Sequence, residues 1–322
     1  MDMKTELYTI RSLPDNILSD NQTVILDIGA SSRYWRTSRL LNITLIRRAE
    51  ICGSGFCETS YSAGEEADEY ELLQLLAEEL RDVREVITFN GTAFDLPHLH
   101  AKYKAYGLTD PLQGLKTRDL FLDYRFLYSF LGLAGRHLRD YDEAMLGYMR
   151  AGGFFPDPEE PRHDALKTLR ILGFDALISL LDGGWTFVSA ARVPADAEPA
   201  DGLSGEEHML FTLRSEIPFH GMMSVHDQGC HLLFSGDTAR ISVPLTQGKL
   251  RFYHADTENY VYLPSEGYAV HKSVGAYVDR EHKEKAVRTN CFHLFICSDK
   301  FLSDRKQLAN YISSLLLFLR SR

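Results

Sequence analysis

The chain has 322 residues, 44% of them hydrophobic, which is enough for one large core or two moderate ones. Its formal net charge is −10 and its isoelectric point is about 5.6. An acidic protein binds nucleic acid poorly as a whole, so any such binding must use a local basic surface. The sequence has no apolar run long enough to span a bilayer and no signal-peptide pattern, so we expect a cytoplasmic protein with no membrane partner.

The first half of the chain alternates between strand and helix patterns. Apolar, β-branched runs predict buried strands at 23–28 and 85–89, and a strand or hairpin at 40–51. Apolar residues at helical spacing predict helices over 67–83, 96–106, 119–134 and 138–150, and from Asp164 to about Leu181. This order of elements indicates an α/β domain in which helices flank a central mixed sheet.

A change in composition divides the chain. Residues 191–204 are rich in Ala, Pro, Asp, Glu and Gly, which predicts a linker between a domain at 1–190 and a second domain at 205–322. The second domain consists of short strand-like runs with turn signals such as Gln247-Gly248-Lys249 between them. We therefore expect a smaller β-rich domain, closed by a C-terminal helix. Its sequence indicates no chemistry, and a protein partner is the role left open for it.

Three acidic residues follow or begin the predicted elements. Asp27 ends the first buried strand, Asp95 follows the strand at 85–89 and an Asn-Gly turn, and Asp164 begins a helix. Each acid alone is typical of a turn or a helix N-cap. Together they would supply the carboxylate oxygens that Mg²⁺ or Mn²⁺ prefers, and two such ions can promote phosphodiester hydrolysis. We therefore predict that the three carboxylates lie together at one edge of the sheet.

These segments resemble a known family. Leu26-Asp27-Ile28-Gly29 and Thr88-Phe89-Asn90-Gly91-x-x-Phe94-Asp95 are similar to the first two motifs of the ribonuclease-H-like 3′–5′ exonucleases with an Asp-Glu-Asp-Asp site, in particular the YprB-type domain. The later segments that resemble it are Arg118–Arg125, 138–150 and Asp164–Leu169. The resemblance covers about residues 20–182. It implies a ribonuclease-H-like fold, with Asp27, Asp95 and Asp164 as catalytic and metal-binding residues.

The sequence departs from the family pattern at two places. Gly29 stands where the first motif normally has Glu, and it supplies no side-chain oxygen. The third motif normally has Tyr or His four or five residues before its Asp, whereas this chain has Glu160 and Glu159 there. His163 adjoins Asp164 but is expected to point elsewhere. The departures predict either one weakly held Mg²⁺ or Mn²⁺ or no ion, and catalysis that is weakened or lost.

A basic and aromatic cluster follows the first motif. Arg33, Trp35, Arg36 and Arg39 could bind phosphates and stack on an unpaired base, and Asn90 of the second motif lies at the same expected edge. A solvated loop is the alternative interpretation of this cluster. Two functions remain open at this point. One is an exonuclease-like protein that processes single-stranded DNA or RNA. The other is a noncatalytic scaffold, for nucleic acid or protein, that retains the fold.

Overall fold

The computed structural model describes residues 4–10, 13–14, 17–18, 20–48, 55–63, 68–157, 163–195 and 207–321. The chain divides into two compact units, Met1–Tyr128 with Leu133–Gly173, and Ser129–Gly132 with Phe174–Arg322. The division at Gly173 lies earlier than the predicted domain end at residue 190. Residues 191–193 end a strand, and residues 196–206 lie outside the described part, so the linker at 191–204 stays a prediction.

The first unit is built on a six-stranded mixed sheet. Its strands are β1 (Lys4–Ile10), β2 (Thr23–Ala30), β3 (Leu40–Arg48), β4 (Phe56–Ser62), β5 (Glu85–Thr88) and β6 (Lys116–Asp119). The strand order is β1-β4-β3-β2-β5-β6. The pairs β2–β5 and β5–β6 are parallel and the remaining pairs are antiparallel. β2 is therefore the central strand at which the sheet changes direction.

Helices cover both faces of this sheet. The helices of the first half are α1 (Asp68–Glu79), α2 (Asp95–Ala105), α3 (Leu120–Asp123), α4 (Leu127–Leu131), α5 (Leu138–Ala151) and α6 (Asp164–Ile171). Val24, Leu26 and Ile28 of β2 belong to a core cluster with leucines of α1 and α2. Because side chains alternate along a strand, Ile25, Asp27 and Gly29 face the opposite side. That side of β2 and β3 packs against α6.

A buried ion pair fixes α6 to α5. The Arg170 guanidinium of α6 donates from Nε to Asp142 Oδ1 at 2.7 Å and from Nη2 to Asp142 Oδ2 at 2.9 Å, and both side chains are under 10% exposed. The prediction of one continuous helix from Asp164 to Leu181 is wrong, because the helix is interrupted at Gly173: α6 ends at Ile171 and the next helix begins at Phe174. A Cβ there would lie 2.9 Å from Met145 Cε and 3.3 Å from the Arg170 carbonyl oxygen.

The second unit is rich in antiparallel strands. Its elements are α7 (Phe174–Leu181), β7 (Trp185–Val193), β8 (His208–Asp227), β9 (Cys230–Pro244), β10 (Lys249–Tyr253), β11 (Tyr260–Leu263), β12 (Tyr268–His271), α8 (Lys272–Gly275), β13 (Glu284–Lys285), β14 (Phe292–Ile296), α9 (Asp299–Ser303) and α10 (Arg305–Arg320). Its sheets are β7-β8-β9, β12-β11-β13 and β10-β14. The buried apolar side of α10 closes this unit, as predicted.

Several local predictions differ from the structure. The short runs expected between residues 208 and 244 are two long strands, β8 and β9. Their pairing shifts register on both sides of Phe219, which lies opposite Gly236, and β9 continues through Gly236 without a turn. The single helix expected over 119–134 is the pair α3 and α4. The cysteines in the described part of the chain, Cys57, Cys230, Cys291 and Cys297, are all free. In the described part of the chain, no helix combines the length and apolarity that a membrane span requires.

We predict that Arg170→Ala destabilises the first unit by about 3 to 5 kcal/mol, because it leaves the buried Asp142 carboxylate without its partner. The matched control is Arg139→Ala, which removes an exposed ion pair to Glu143 within α5 and should cost less than about 0.5 kcal/mol. Urea unfolding of both variants measures the difference. Equal effects would show that the α5–α6 pair is not a structural constraint.

Candidate functional site

The candidate site lies on the α6 side of β2, in the first unit. Asp27 points to this side from the middle of β2, whose neighbours in the sheet are β3 and β5. Opposite Asp27 in the β3 register is Thr44, and opposite Thr44 in β4 is Ser60. The two hydroxyl oxygens of this pair lie 3.2 Å apart and are buried. This face of the sheet is therefore polar beside Asp27, whereas the other face is apolar.

Asp95 is brought beside β2 by a backbone requirement. The parallel pairing of β2 with β5 ends at Ile25 and Ile87, so the Ile28 amide lies beyond the end of the neighbouring strand. Asp95 Oδ1 accepts a hydrogen bond from the Ile28 amide at 3.1 Å, and the Asp95 side chain is buried at the start of α2. One carboxylate oxygen thus stands in for a strand carbonyl.

Asp164 reaches the same neighbourhood from α6. It is the first residue of that helix and is exposed, and its Oδ1 accepts from Lys167 Nζ at 2.6 Å. Its negative charge raises the pKa of both Asp27 and Asp95, so the three predicted acids are electrostatic neighbours. β2 is a central strand that runs on to Ala30, so Asp27 lies neither at the strand end nor at the sheet edge where the sequence placed it. That the three carboxylates converge within reach of one metal ion stays a prediction.

The pKa values reflect this crowding. Burial, followed by the charges of Asp95 and Asp164, raises the pKa of Asp27 to about 8, and the Lys167 ammonium opposes the rise. Burial also raises the pKa of Asp95 to about 6, against the hydrogen bond from Ile28. Asp27 thus holds its proton at neutral pH, whereas Asp95 is mostly ionised there, and carboxyls with pKa values raised by burial and by like charges are frequent at functional sites.

Asp119 is a residue of this region that the sequence did not single out. It ends β6, and its carboxylate accepts hydrogen bonds from the backbone amides of Asn90 (2.7 Å), Thr92 (3.0 Å) and Phe121 (3.1 Å). Asn90 has a φ of 62°, in the left-handed region, and is exposed. Asp119 therefore shapes the turn that delivers Asp95. Its only sequence signal is its place in Arg118–Arg125, a segment that resembles the exonuclease family.

Asn42 occupies the space beside Gly29. The two residues are opposite each other in the β2–β3 pairing. A Cβ at Gly29 would lie 2.6 Å from Asn42 Oδ1 and 2.8 Å from Asn42 Nδ2. Both are ends of a flexible side chain, so an acid at Gly29 would require Asn42 to turn away. The Asn42 side chain thus fills the space that an acidic side chain at position 29 would need.

The metal-binding hypothesis meets a geometric limit. Among the residues that the structure describes, no group of three or more His, Cys, Asp or Glu side chains is arranged to hold a metal ion. Asp95 uses one oxygen on a backbone amide and Asp164 uses one on Lys167. The donor chemistry and the excess of negative charge suit a divalent cation, whereas a closed cage of protein ligands is not preformed.

Four of the predicted nucleic-acid residues, Arg33, Trp35, Arg36 and Arg39, lie in the loop between β2 and β3, residues 31–39, whereas Asn90 lies in the turn after β5. Arg33 and Arg36 are exposed, and the Arg36 guanidinium lies 4.9 Å from the centre of the Trp35 ring. Arg39 is half-buried, and its Nε and Nη2 atoms have no hydrogen-bond partner within the described ranges. Two hydrogen bonds close the loop. The Ser31 amide donates to the Arg39 carbonyl oxygen at 2.8 Å, and the Arg39 amide donates to the Ser31 hydroxyl at 2.8 Å. Its binding role stays a prediction.

Comparison with known families supports the fold. Residues 42–150 match a family model described as RNase_H superfamily. That stretch includes Asp95 but neither Asp27 nor Asp164. No curated protein matches the chain. The six-stranded mixed sheet with helices on both faces, together with this match, gives the first unit a ribonuclease-H-like fold, and the match indicates a nuclease-like function in nucleic-acid processing.

We predict that Asp27→Asn stabilises the protein at pH 8. The pKa of Asp27 is about 8 in the folded chain against an ordinary 3.8, so the folded state holds the proton more tightly. This stabilisation is complete below about pH 4 and is lost as the pH rises towards 8. The variant cannot ionise at this position. About four pKa units at roughly 1.4 kcal/mol each separate the two states, so the variant should exceed the wild type at pH 8 by up to about 5 kcal/mol, or on the order of ten degrees in melting temperature.

Thermal unfolding at pH 5 and pH 8, with a chelator present, measures this effect. The control is Asp82→Asn, which removes an exposed acid from the turn after α1. If the difference in melting temperature between Asp27→Asn and the wild type is the same at pH 5 and pH 8, the pKa of Asp27 is not raised as described above.

Proposed function

We propose that the first unit is a 3′–5′ exonuclease-like domain that processes nucleic acid and whose hydrolytic activity is weakened. The observation that carries this proposal is the state of Asp27. Its carboxyl is placed among other acids on the polar face of β2, and its pKa is raised to about 8 by burial and by their charges. A divalent cation would relieve this repulsion, as it does in carboxylate sites generally.

The available residues fit one cation rather than two. Mg²⁺ is commonly held by one or two carboxylates, with water and substrate phosphate completing its shell. Asp27 and Asp95 would hold such an ion, and Asp164 would join them if it left Lys167. When bound, the ion would supply an activated water or polarise a phosphoryl oxygen. Asp119 contributes by fixing the turn before Asp95 through its hydrogen bonds to Asn90 and Thr92.

The weakening is inferred from the departures from the family pattern. Gly29 supplies no oxygen, and the Asn42 amide beside it is a neutral group. Glu159 and Glu160 stand where the family has a Tyr or His, and they lie outside the described residues. Fewer anionic ligands lower the occupancy of Mg²⁺. We therefore expect slow hydrolysis, with Mn²⁺ more effective than Mg²⁺ because it tolerates a less regular set of ligands.

Single-stranded DNA or RNA is the proposed partner, bound at the 31–39 loop. This loop directly follows β2, the strand that carries Asp27. The Arg39 Nε and Nη2 groups, which have no partner in the described structure, would donate hydrogen bonds to a phosphate that reached them. Trp35 and Arg36 offer a stacking surface for an unpaired base. Asn90, exposed at the turn before Asp95, would contact the same strand. The free cysteines suit a reducing compartment, so the cytoplasm remains the proposed location.

A noncatalytic scaffold is the second candidate function. It is favoured by the use of the acids within the protein, since Asp95 bonds the Ile28 amide and Asp164 pairs with Lys167. In this case the domain would bind nucleic acid or a protein through the same fold and would not cleave. A protein partner would be bound by the second unit, for which no chemistry is proposed.

The decisive experiment measures degradation of 3′- and 5′-labelled single-stranded DNA and RNA with Mn²⁺. We predict slow shortening from the 3′ end that stops with a chelator and is absent in Asp27→Asn. Binding without shortening would favour the scaffold.

A repaired variant tests the reason for weak activity. Gly29→Glu with Asn42→Ala restores the acid and clears the space that Asn42 fills, so it should shorten the strand faster than the wild type. Gly29→Glu alone is the control, and it should gain less because the Cβ meets the Asn42 amide. If the double variant shortens the strand no faster than the wild type, Gly29 is not the cause of the weak activity.

We further predict that single-stranded nucleic acid binds with an affinity that falls steeply with salt. Replacing Arg33, Arg36 and Arg39 with Ala should weaken binding at low salt and flatten the salt dependence. Trp35→Ala should cost on the order of 1 to 3 kcal/mol with little change in salt slope. Fluorescence anisotropy measures both. If the triple variant binds as tightly as the wild type, this loop is not the binding surface.

A further inference from the structure

Glu58 is a buried acid on the same face of the sheet as Asp27. It lies in β4 opposite Ile46 of β3, which lies opposite Ile25 of β2. Because Ile25 and Asp27 are two residues apart on one strand, Glu58 and Asp27 point to the same side. The Glu58 side chain is 3% exposed. Charged residues are rarely buried this far unless their oxygens are satisfied.

Only one of the two Glu58 oxygens is satisfied. Oε1 lies 2.5 Å from His163 Nδ1, at the residue that precedes α6. Oε2 is buried and has no hydrogen-bond partner in the part of the chain that the structure describes. A buried carboxylate oxygen without a donor is unfavourable, because it has lost its hydrogen bonds to water without replacing them. Glu58 Oε2 is therefore available to a hydrogen-bond donor or a cation.

The surroundings of Glu58 indicate where that group would lie. The Thr44 and Ser60 hydroxyls form a polar strip on the same face, next to Asp27 in the strand register. The charge of Glu58 also contributes to the raised pKa of Asp27, so the two acids act on each other across this strip. Glu58 could not be recognised from the sequence, since a strand pattern alone does not indicate a partner on β2.

We propose that Glu58 is the fourth acid of this site: it contributes from β4 the negative charge that Gly29 does not supply from β2, and so strengthens the binding of a divalent cation beside Asp27. This inference rests on the proposed function of the site. In it, Oε1 stays with His163 at the start of α6, and Oε2 turns towards the cation or a water molecule of its shell.

A purely structural role is the competing explanation. In that case Glu58 would only hold the start of α6 through His163, and losing either partner would have the same effect on the site. The two roles predict different results for His163. Removing His163 frees both Glu58 oxygens, so the charge role predicts cation binding that is unchanged or tighter. The structural role predicts that it becomes weaker.

The test measures Mn²⁺ binding by the full chain through the spectroscopic signal of free Mn²⁺, without nucleic acid. Glu58→Gln keeps an acceptor for His163 but removes the charge, and it should raise the dissociation constant about tenfold or more, as for other supporting residues of metal sites. His163→Ser should leave the constant unchanged or lower it. Melting temperatures of all variants check that the fold is kept.

A second His–carboxylate pair in the same unit serves as the matched control. Asp110 is 7% exposed, and its Oδ2 lies 2.5 Å from Nδ1 of the half-exposed His100. This geometry repeats that of Glu58 and His163, but Asp110 is not among the charges that raise the pKa of Asp27. Asp110→Asn should therefore leave Mn²⁺ binding unchanged.

The outcomes separate this inference from the proposed function. If the wild type binds Mn²⁺ and Asp27→Asn does not, the site stands, and Glu58→Gln then decides the role of Glu58. A dissociation constant within twofold of the wild type in Glu58→Gln overturns the inference alone. So does a His163→Ser variant that binds more weakly, which remains decisive even if Glu58→Gln does not fold. A wild type without saturable Mn²⁺ binding overturns both the inference and the cation site.

Discussion

The hydrogen bond from the Ile28 amide to Asp95 couples the fold of the first unit to its chemistry. β2 extends beyond the end of its parallel neighbour β5, so a buried amide of β2 needs an acceptor that β5 cannot supply. Asp95 supplies it from the start of α2. The bond satisfies the backbone, but it also fixes a second carboxylate beside Asp27. The crowding of acids is therefore a consequence of how the central strand ends.

The result is a site whose electrostatics oppose the stability of the fold. Asp27 would ionise near pH 4 in water, yet burial and the neighbouring charges keep it protonated to about pH 8. Lys167 is the resident positive charge, and it is engaged with Asp164. Such a conflict between stability and function is common at sites that bind a ligand or a cation. The buried ion pair of Arg170 and Asp142 holds α6, which carries Asp164 and Lys167, against α5 despite this repulsion.

Alternation along the strands lets a single sheet serve both purposes. One face of β2 places Val24, Leu26 and Ile28 in the apolar core with α1 and α2. The other face carries Asp27, and the polar residues of β3 and β4 continue it to Glu58. A one-residue shift in any of these strands would bury the acids in the core. Strand register is thus the condition on which the site depends.

The sequence by itself determined β2, β5, α2 and the three candidate acids, because strand and helix periodicity and turn residues act over a few neighbours in the chain. It did not reveal Glu58, which meets His163 across 105 residues, or the role of Asp119 in shaping the turn at Asn90. It also predicted one helix through Gly173 where the structure has two. These features depend on strand register, close packing and charges from distant segments. Local periodicity carries no information about such contacts, so only the tertiary structure decided them.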